Sequence, residues 1–586
     1  MRRQRLLLLI TVLTPLLLLG LAEIALRSLG IGQREPLFVP VASAPGYLQP
    51  NSAAIQRFFP DPRRAPNVAI DTTWFPARKS PGTLRIFVQG ESSAAGFPYG
   101  RWASPAALLQ QRLQRAYPDR NVEVINTAMA AVTSYVLLDF TDEILAQHPD
   151  AVVIYTGHNE YLGVGGVGSS YVSAKSPVLA RTVAMLRHLH LYRALERLVS
   201  AAGAAPEPLS NAEGTLMSRV ARERSIPLDS PLYRQGLEQF RGNLDRMLQK
   251  YRAAGVPVFI GTLASNERDQ PPFVSGPDAP DGSSAKQHYA RARALDAAGK
   301  YDEARAEYLA ARDRDELRFR APESFNALIR ELAGSDGATL VDVHAALAAA
   351  ARDGIIGSDL MLEHVHPNVE GYFRLATAFY PAITAWAGAP KLAIDDATAL
   401  RELPVTEIDR LAGEYRVEVL KHDWPFVAER QQVDFAAPTN PIEVLAQAWF
   451  AKRLSWADAM NNAMGAYQQA GNSLEAARVG VNLAEAFVTQ DNVQYTAGRL
   501  LLRSDQPQRA LLYLGRAIRL NDEPIEYRLS LAEAQARTGR PDQSVTTLQA
   551  ILAKHPNESR AQYWLAEMRA RAADSAKATL SPIGAR

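Results

Sequence analysis

The stretch Gly90-Glu91-Ser92-Ser93-Ala94-Ala95-Gly96 places a small, glycine-flanked serine just after the short β-branched and aromatic run Leu84 to Val88. A hydroxyl at such a strand end is open to a substrate, yet serine is a weak nucleophile until a base takes its proton. Nucleophilic chemistry at Ser92 therefore calls for a histidine from elsewhere in the chain. His366 meets that need. It lies in Glu363-His364-Val365-His366-Pro367-Asn368, just ahead of a helical pattern from Val369 to Trp386, so its ring projects from a loop. Glu363, three residues earlier, can orient the imidazole and stabilise its protonated form. Such a set cleaves an ester through an acyl-serine intermediate and is expected to need no cofactor and no metal. Other readings of these residues stay open. Ser93 could be the exposed hydroxyl, and His366 could cap a turn at a helix entry. Glu363, His364 and His366 with His188 and His190 could ligate a metal through nitrogen and oxygen. Arg318 and Arg320 offer either an anion subsite or helix arginines that are solvated or paired.

The elements that must position these groups alternate. Leu84–Val88, Val122–Asn126, Ala151–Tyr155 and Val256–Ile260 read as strands, each ending in a loop, with helical periodicity between them. This alternation predicts an α/β fold with a parallel sheet covered on both faces, where functional groups gather at the carboxyl ends of strands.

Four ordered segments carry a family resemblance: Gly90-Glu91-Ser92 with Gly96, Asn126-Thr127-Ala128, Gly157-His158-Asn159-Glu160, and Glu363-His364-Val365-His366-Pro367. They resemble the sequence blocks of the SGNH (GDSL-type) hydrolases, over about residues 82 to 200 and 240 to 388. The resemblance implies a flavodoxin-like three-layer α/β/α domain with Ser92 as nucleophile, His366 as base and Glu363 as the acid of the triad. It further implies an oxyanion hole made by the amides of Ser92 and Ala128 and the side-chain amide of Asn159. His158 would neighbour that hole, and His364 would lie behind the triad or at the surface. The sequence departs from the family pattern at Glu91, Glu160 and Glu363, each in place of aspartate, and at Ala128 in place of glycine.

With 586 residues the chain exceeds one hydrophobic core and reads as modular. The 64 basic and 62 acidic residues are mixed along it, which leaves no footprint for a phosphate backbone, so nucleic acid is not an expected partner. Cysteine is absent, which excludes disulfides, thiolate metal sites and a cysteine nucleophile. Residues 1–5 hold three arginines and precede an apolar run over residues 6–26, long enough for a single membrane-spanning anchor. The run ends without a small-x-small cleavage site, and the arginines retained inside place the rest of the chain on the periplasmic or extracellular side of an inner membrane.

Residues 27–81 read as a linker and edge segment, 82–388 as the hydrolase-like domain, 389–455 as a helical connector, and 573–586 as a tail. Between them, Met464, Gly498, Ala532 and Ala566 recur every 34 residues, as do Ala476, Ala510 and Ser544, followed by Leu483, Ala517 and Ile551. This resembles tetratricopeptide repeats over 456–572. Ala292, Gly299 to Ala304 and Ala311 repeat the same offsets, so a helical insertion is expected near 286–335. Repeats of this kind either dock a protein partner or simply pack as helical hairpins. The leading functional expectation is a membrane-anchored extracytoplasmic serine esterase acting on an ester, such as an O-acyl group on a glycan or lipid. Loops such as Gly163 to Ser176 would set the size of its acyl pocket. Two alternatives are an O-acyltransferase using the same triad and an envelope scaffold or adaptor with an inactive hydrolase-like domain.

Overall fold

In the computed structural model of the protein, the β-branched and aromatic runs of the sequence pair side by side. The structure describes residues 2–59, 61–62, 65–66, 68, 70, 72–170, 182–183, 185–202, 218 and 221–579. The loop Gly163 to Ser176 therefore falls only partly within it, residues 171–176 lying outside, as do residues 580–586 of the tail. Two compact units divide the chain, one of Met1–Asp396 with Gly413–Phe435 and one of Ala397–Ala412 with Ala436–Arg586.

The first unit opens with helix α1 (Arg2–Ser28) and a small antiparallel sheet of β1 (Phe38–Pro40), β2 (Tyr47–Pro50) and β3 (Phe75–Pro76). Among the described residues no helix is long and apolar enough to cross a membrane. The side chains of residues 2–10 and 12, part of the expected anchor, lie outside that description. Next come β4 (Leu84–Gly90), α2 (Ser92–Ala95), α3 (Pro105–Ala116), β5 (Val122–Asn126), α4 (Ser134–Leu145) and β6 (Ala151–Tyr155). They are followed by α5 (His190–Ala202), α6 (Pro231–Ala253), β7 (Val258–Gly261), α7 (Ala285–Ala297) and α8 (Tyr301–Asp313). The last are α9 (Glu323–Asp336), β8 (Thr339–Val341), α10 (Val343–Ala350) and α11 (Val369–Ala387).

Strands β4 to β8 form one parallel sheet in the order β5-β4-β6-β7-β8. Every residue of β4, β6 and β7 is buried, Arg85 and Gln89 of β4 included, as in a sheet covered on both faces. The predicted α/β class and the flavodoxin-like layering hold. The order reverses at β4, which pairs β5 on one side and β6 on the other, so a crevice opens beyond the carboxyl ends of these strands. β1 to β3, in the stretch read from sequence as linker and edge, rest on this sheet through Phe38 and Phe75, whose rings meet Phe87 of β4 edge-on at 5.7 and 5.9 Å. Between β7 and β8 the chain makes the helical hairpin α7/α8, closed by buried Ala292, Ala304 and Tyr308 against Ile355.

The second unit is helical: α12 (Pro441–Phe450), α13 (Trp456–Gln469), α14 (Ser473–Ala486), α15 (Asp491–Arg503), α16 (Pro507–Leu520), α17 (Ile525–Arg537), α18 (Pro541–Lys554) and α19 (Ser559–Thr579). Small residues at the 34-residue spacing sit where helices touch. Ala476, Ala510 and Ala517 are fully buried, and a Cβ on Gly498 would come within 2.6 Å of Leu514 Cγ.

Candidate active site

The serine turn is made by two glycines. A Cβ on Gly90, the last residue of β4, would lie 2.3 Å from the Tyr155 carbonyl oxygen and 2.5 Å from Ala94 Cβ, so only glycine lets the chain fold back against β6. Glu91 stays extended, Ser92 starts the single turn α2, and Gly96 closes it in the left-handed region at φ 88°. Ser92 is thereby lifted beyond the sheet edge. As the first helical residue, its N–H has no intrahelical acceptor. Asn126 ties the end of β5 to this turn, its Nδ2 donating to the Ala94 carbonyl at 3.1 Å.

Across 274 residues of sequence, Ser92 Oγ meets His366 Nε2 at 2.7 Å. His366 Nδ1 in turn hydrogen-bonds Glu363 Oε1, and the ring packs against Phe97 with centroids 4.6 Å apart. The neighbouring hydroxyl has another task, since Ser93 Oγ donates to the Val365 carbonyl at 3.1 Å and is buried. Of the two serines, then, Ser92 is the one facing the imidazole. The loop closes around the Glu363 carboxylate: the backbone N–H groups of His366 and Val365 donate to it at 3.1 and 3.3 Å. Its second oxygen lies against His364 Nδ1. Burial alone would raise the Glu363 pKa, but the His364 and His366 imidazoles outweigh it and hold the carboxyl well below the usual range. An ionised carboxylate at Nδ1 keeps the proton on that nitrogen and leaves Nε2 free to accept the serine proton.

Glu91 fastens the loop after β6. Its carboxyl accepts from Thr156 Oγ1 at 2.8 Å, Gly157 N–H at 2.9 Å and Asn159 N–H at 3.0 Å. Burial pushes its pKa up to about 7 in spite of these donors. Glu160 lies deeper, bonded to the Ser134 amide and hydroxyl and to Gln239, and burial pushes it up to about 8. The loop presents the Asn159 side chain, whose Nδ2 is buried without an acceptor among the described residues. Ala128, the other expected oxyanion donor, is engaged differently: its N–H donates to Asn126 Oδ1 at 3.0 Å. The left-handed position of this loop falls on Ala131, at φ 58°, and the Ala131 carbonyl accepts from Val164 N–H at 2.8 Å. Nothing in the residue type marks Ala131, so sequence reasoning passed over it. Of the three expected oxyanion donors, the Ser92 amide and Asn159 Nδ2 are thus the two without an acceptor among the described residues.

Several flanking residues change roles. His364 is buried, its ring set edge-on against Phe273, Phe319 and Phe426, so it lies behind the triad and not at the surface. His158 is buried next to the oxyanion loop and accepts from Ala321 N–H at 3.2 Å through Nδ1. Burial first, then the nearby His364 and His366, lower its pKa to about 3, so it is neutral and carries its proton on Nε2. Arg320 is paired with Asp315 at 3.0 Å, and Arg318 donates to the Ile226 carbonyl at 2.8 Å. Both are buried and bonded within the protein, which matches the paired reading of these arginines. His188 and His190 lie elsewhere, against Arg34 and the Ile31 carbonyl, so they join no shared ligand set with Glu363.

A strand-end serine, a histidine held by a buried carboxylate and an unpartnered side-chain amide in the next loop are the groups that serine-hydrolase chemistry requires. Residues 88–374 match the GDSL-like lipase/acylhydrolase family, and residues 501–572 match the tetratricopeptide repeat. The chain thus carries a GDSL-like, SGNH-type domain of an ester-hydrolysing enzyme followed by a tetratricopeptide-repeat region. Among solved structures it is similar to a lipase/acylhydrolase from Enterococcus faecalis, at 15% identity over 53% of this chain and 99% of the other, with a TM-score of 0.28. It is also similar to a catalytic mutant of an acetylxylan esterase from Geobacillus stearothermophilus, at 14% identity over 51% and 93%, with a TM-score of 0.27. No curated protein matches the sequence.

Proposed function

We propose that the protein is a membrane-anchored, extracytoplasmic esterase that cleaves a carboxylic ester, such as an O-acyl group on a glycan or lipid, through an acyl-Ser92 intermediate. The observation that carries this reading is the unbroken relay from Ser92 Oγ through His366 to the buried Glu363. His366 takes the serine proton as Ser92 attacks, and the Ser92 amide with Asn159 Nδ2 receives the charge on the carbonyl oxygen. His366 then returns the proton to the leaving alcohol, and the same base activates the water that releases the acyl group. On α1, the side chains of Leu13, Leu16 to Leu19, Leu21 and Ile24 are exposed to solvent, which supports a role in entering lipid. The repeat region supplies a surface for a protein partner.

The test is covalent labelling of the protein by a fluorophosphonate, compared with Ser92→Ala and His366→Ala. Labelling of the parent and loss in both variants is the expected result. A parent that does not label, or a Ser92→Ala variant that labels equally well, would overturn the assignment.

A further inference from the structure

We propose that α5 is a membrane-surface helix, its apolar face seated in the headgroup boundary of the same bilayer that α1 enters. The inference rests on the reading of α1 as a membrane anchor. Helix α5 presents Leu195, Leu198 and Val199 to solvent, the last two with 67% and 74% of their surface exposed. These positions share one helical face, and the segment just before α5 adds exposed Met185, Leu186 and Leu189. Its other face belongs to the protein: Arg193 is buried and donates to the Arg57 carbonyl at 3.2 Å, and Glu196 pairs with Arg187 at 2.8 Å.

Position identifies the occupant. Glu23 of α1 accepts from the backbone N–H groups of His190 and Leu191 at 3.0 and 2.8 Å, which caps α5 directly onto α1. Glu23 precedes Leu26, the end of the apolar run, by three residues, or about 4.5 Å of helix at ~1.5 Å per residue. Helix α5 therefore starts where the anchor leaves the hydrocarbon, the depth at which an amphipathic helix lies in the interface plane. Glu23 is balanced there by Arg27 and Glu196 by Arg187, which leaves the charge of exposed Arg197, whose guanidinium donates to the Gln33 carbonyl, as a net positive charge suited to anionic headgroups.

The absence of cysteine from the chain makes single-site labelling clean. Full-length Leu198→Cys, Leu18→Cys and Leu520→Cys variants, each carrying a polarity-sensitive fluorophore, are reconstituted into vesicles of phosphatidylethanolamine and phosphatidylglycerol. Retained ester hydrolysis verifies the fold of each. The label at position 198 is expected to lose about half its emission or more to a quencher on shallow acyl-chain carbons, and the one at position 18 to a quencher placed deep. The label at position 520, in the helical unit, serves as the unquenched reference. Quenching at position 18 without quenching at 198 overturns the α5 proposal and leaves the anchor standing, with the apolar face then covered by protein. Quenching at 198 without 18 supports surface seating and overturns the span. Absence at both sites overturns both.

Discussion

Replacing Asn159 with alanine separates a donor used in the reaction from one used in folding. Asn159 Nδ2 is buried without an acceptor among the described residues, so the resting protein already bears the desolvation cost of that donor, about 1–3 kcal/mol. Truncation forfeits no hydrogen bond from Nδ2, and the backbone N–H of residue 159, which donates to Glu91, survives it. The change in folding stability is therefore expected to stay within about 1 kcal/mol. The transition state behaves differently. As Ser92 attacks, charge develops on the carbonyl oxygen, and loss of one preorganised donor costs about 2.7–4 kcal/mol, or about 10²–10³ in kcat. Because the Ala128 amide is held by Asn126 Oδ1, few donors share that charge, and the loss is expected near the upper figure, about 10³. Steady-state hydrolysis of p-nitrophenyl acetate gives kcat and KM, and urea unfolding followed by tryptophan fluorescence gives stability. A kcat within tenfold of the parent, together with a stability loss above about 2 kcal/mol, would make Asn159 a packing residue and refute the reasoning.

Glu363→Gln keeps the shape of the carboxylate but cannot stabilise an imidazolium, and it is expected to slow acylation of Ser92 by about 10³–10⁴. Rapid-mixing measurement of alcohol release checks this, and a loss under tenfold counts against a triad role for Glu363. Glu91 holds its proton in the fold up to about pH 7, where the unfolded chain has released it from about 4.5 upward, so its contribution makes stability fall as pH rises through that window. Glu91→Gln removes this dependence; the gap in urea stability between parent and variant should shift by about 3 kcal/mol between about pH 5 and about pH 8, and parallel profiles would contradict the assignment. In the repeat region, Gly498→Ala should lower stability by about 1–3 kcal/mol, because its methyl would press on the fully buried Leu514. Gly515→Ala, also in a helix, meets only the end of the Arg519 side chain at 3.4 Å and should raise stability by about 0.5–1 kcal/mol; thermal unfolding of the pair distinguishes crowding from helix propensity.

Four of the five strands were legible because they are short runs dominated by β-branched and aromatic residues, a local signal; β8, three residues long, gave too short a run to read. The meeting of Ser92 with His366 was legible too, since each lies beside a strong local marker, a glycine-bounded strand end and a histidine just before the capping Asn368 of α11. What could not be read depends on residues that converge from far apart. The burial of His364 needs Phe273, Phe319 and Phe426, which arrive from three separate segments. Strands β1 to β3 are two to four residues long and contain proline, so neither alternation nor β-propensity rises above a loop. The commitment of the Ala128 amide follows from a two-residue turn at Asn126, whose geometry no residue type discloses. Glu363 shows the same limit at the centre of the site. Its extra methylene, relative to aspartate, asks for a different backbone path, and the chain supplies one by curling from residue 363 to 366 so that two imidazoles and two amides close on a single carboxylate. The substitution thus stays compatible with the relay because the loop, and not the side chain alone, sets where the charge lies.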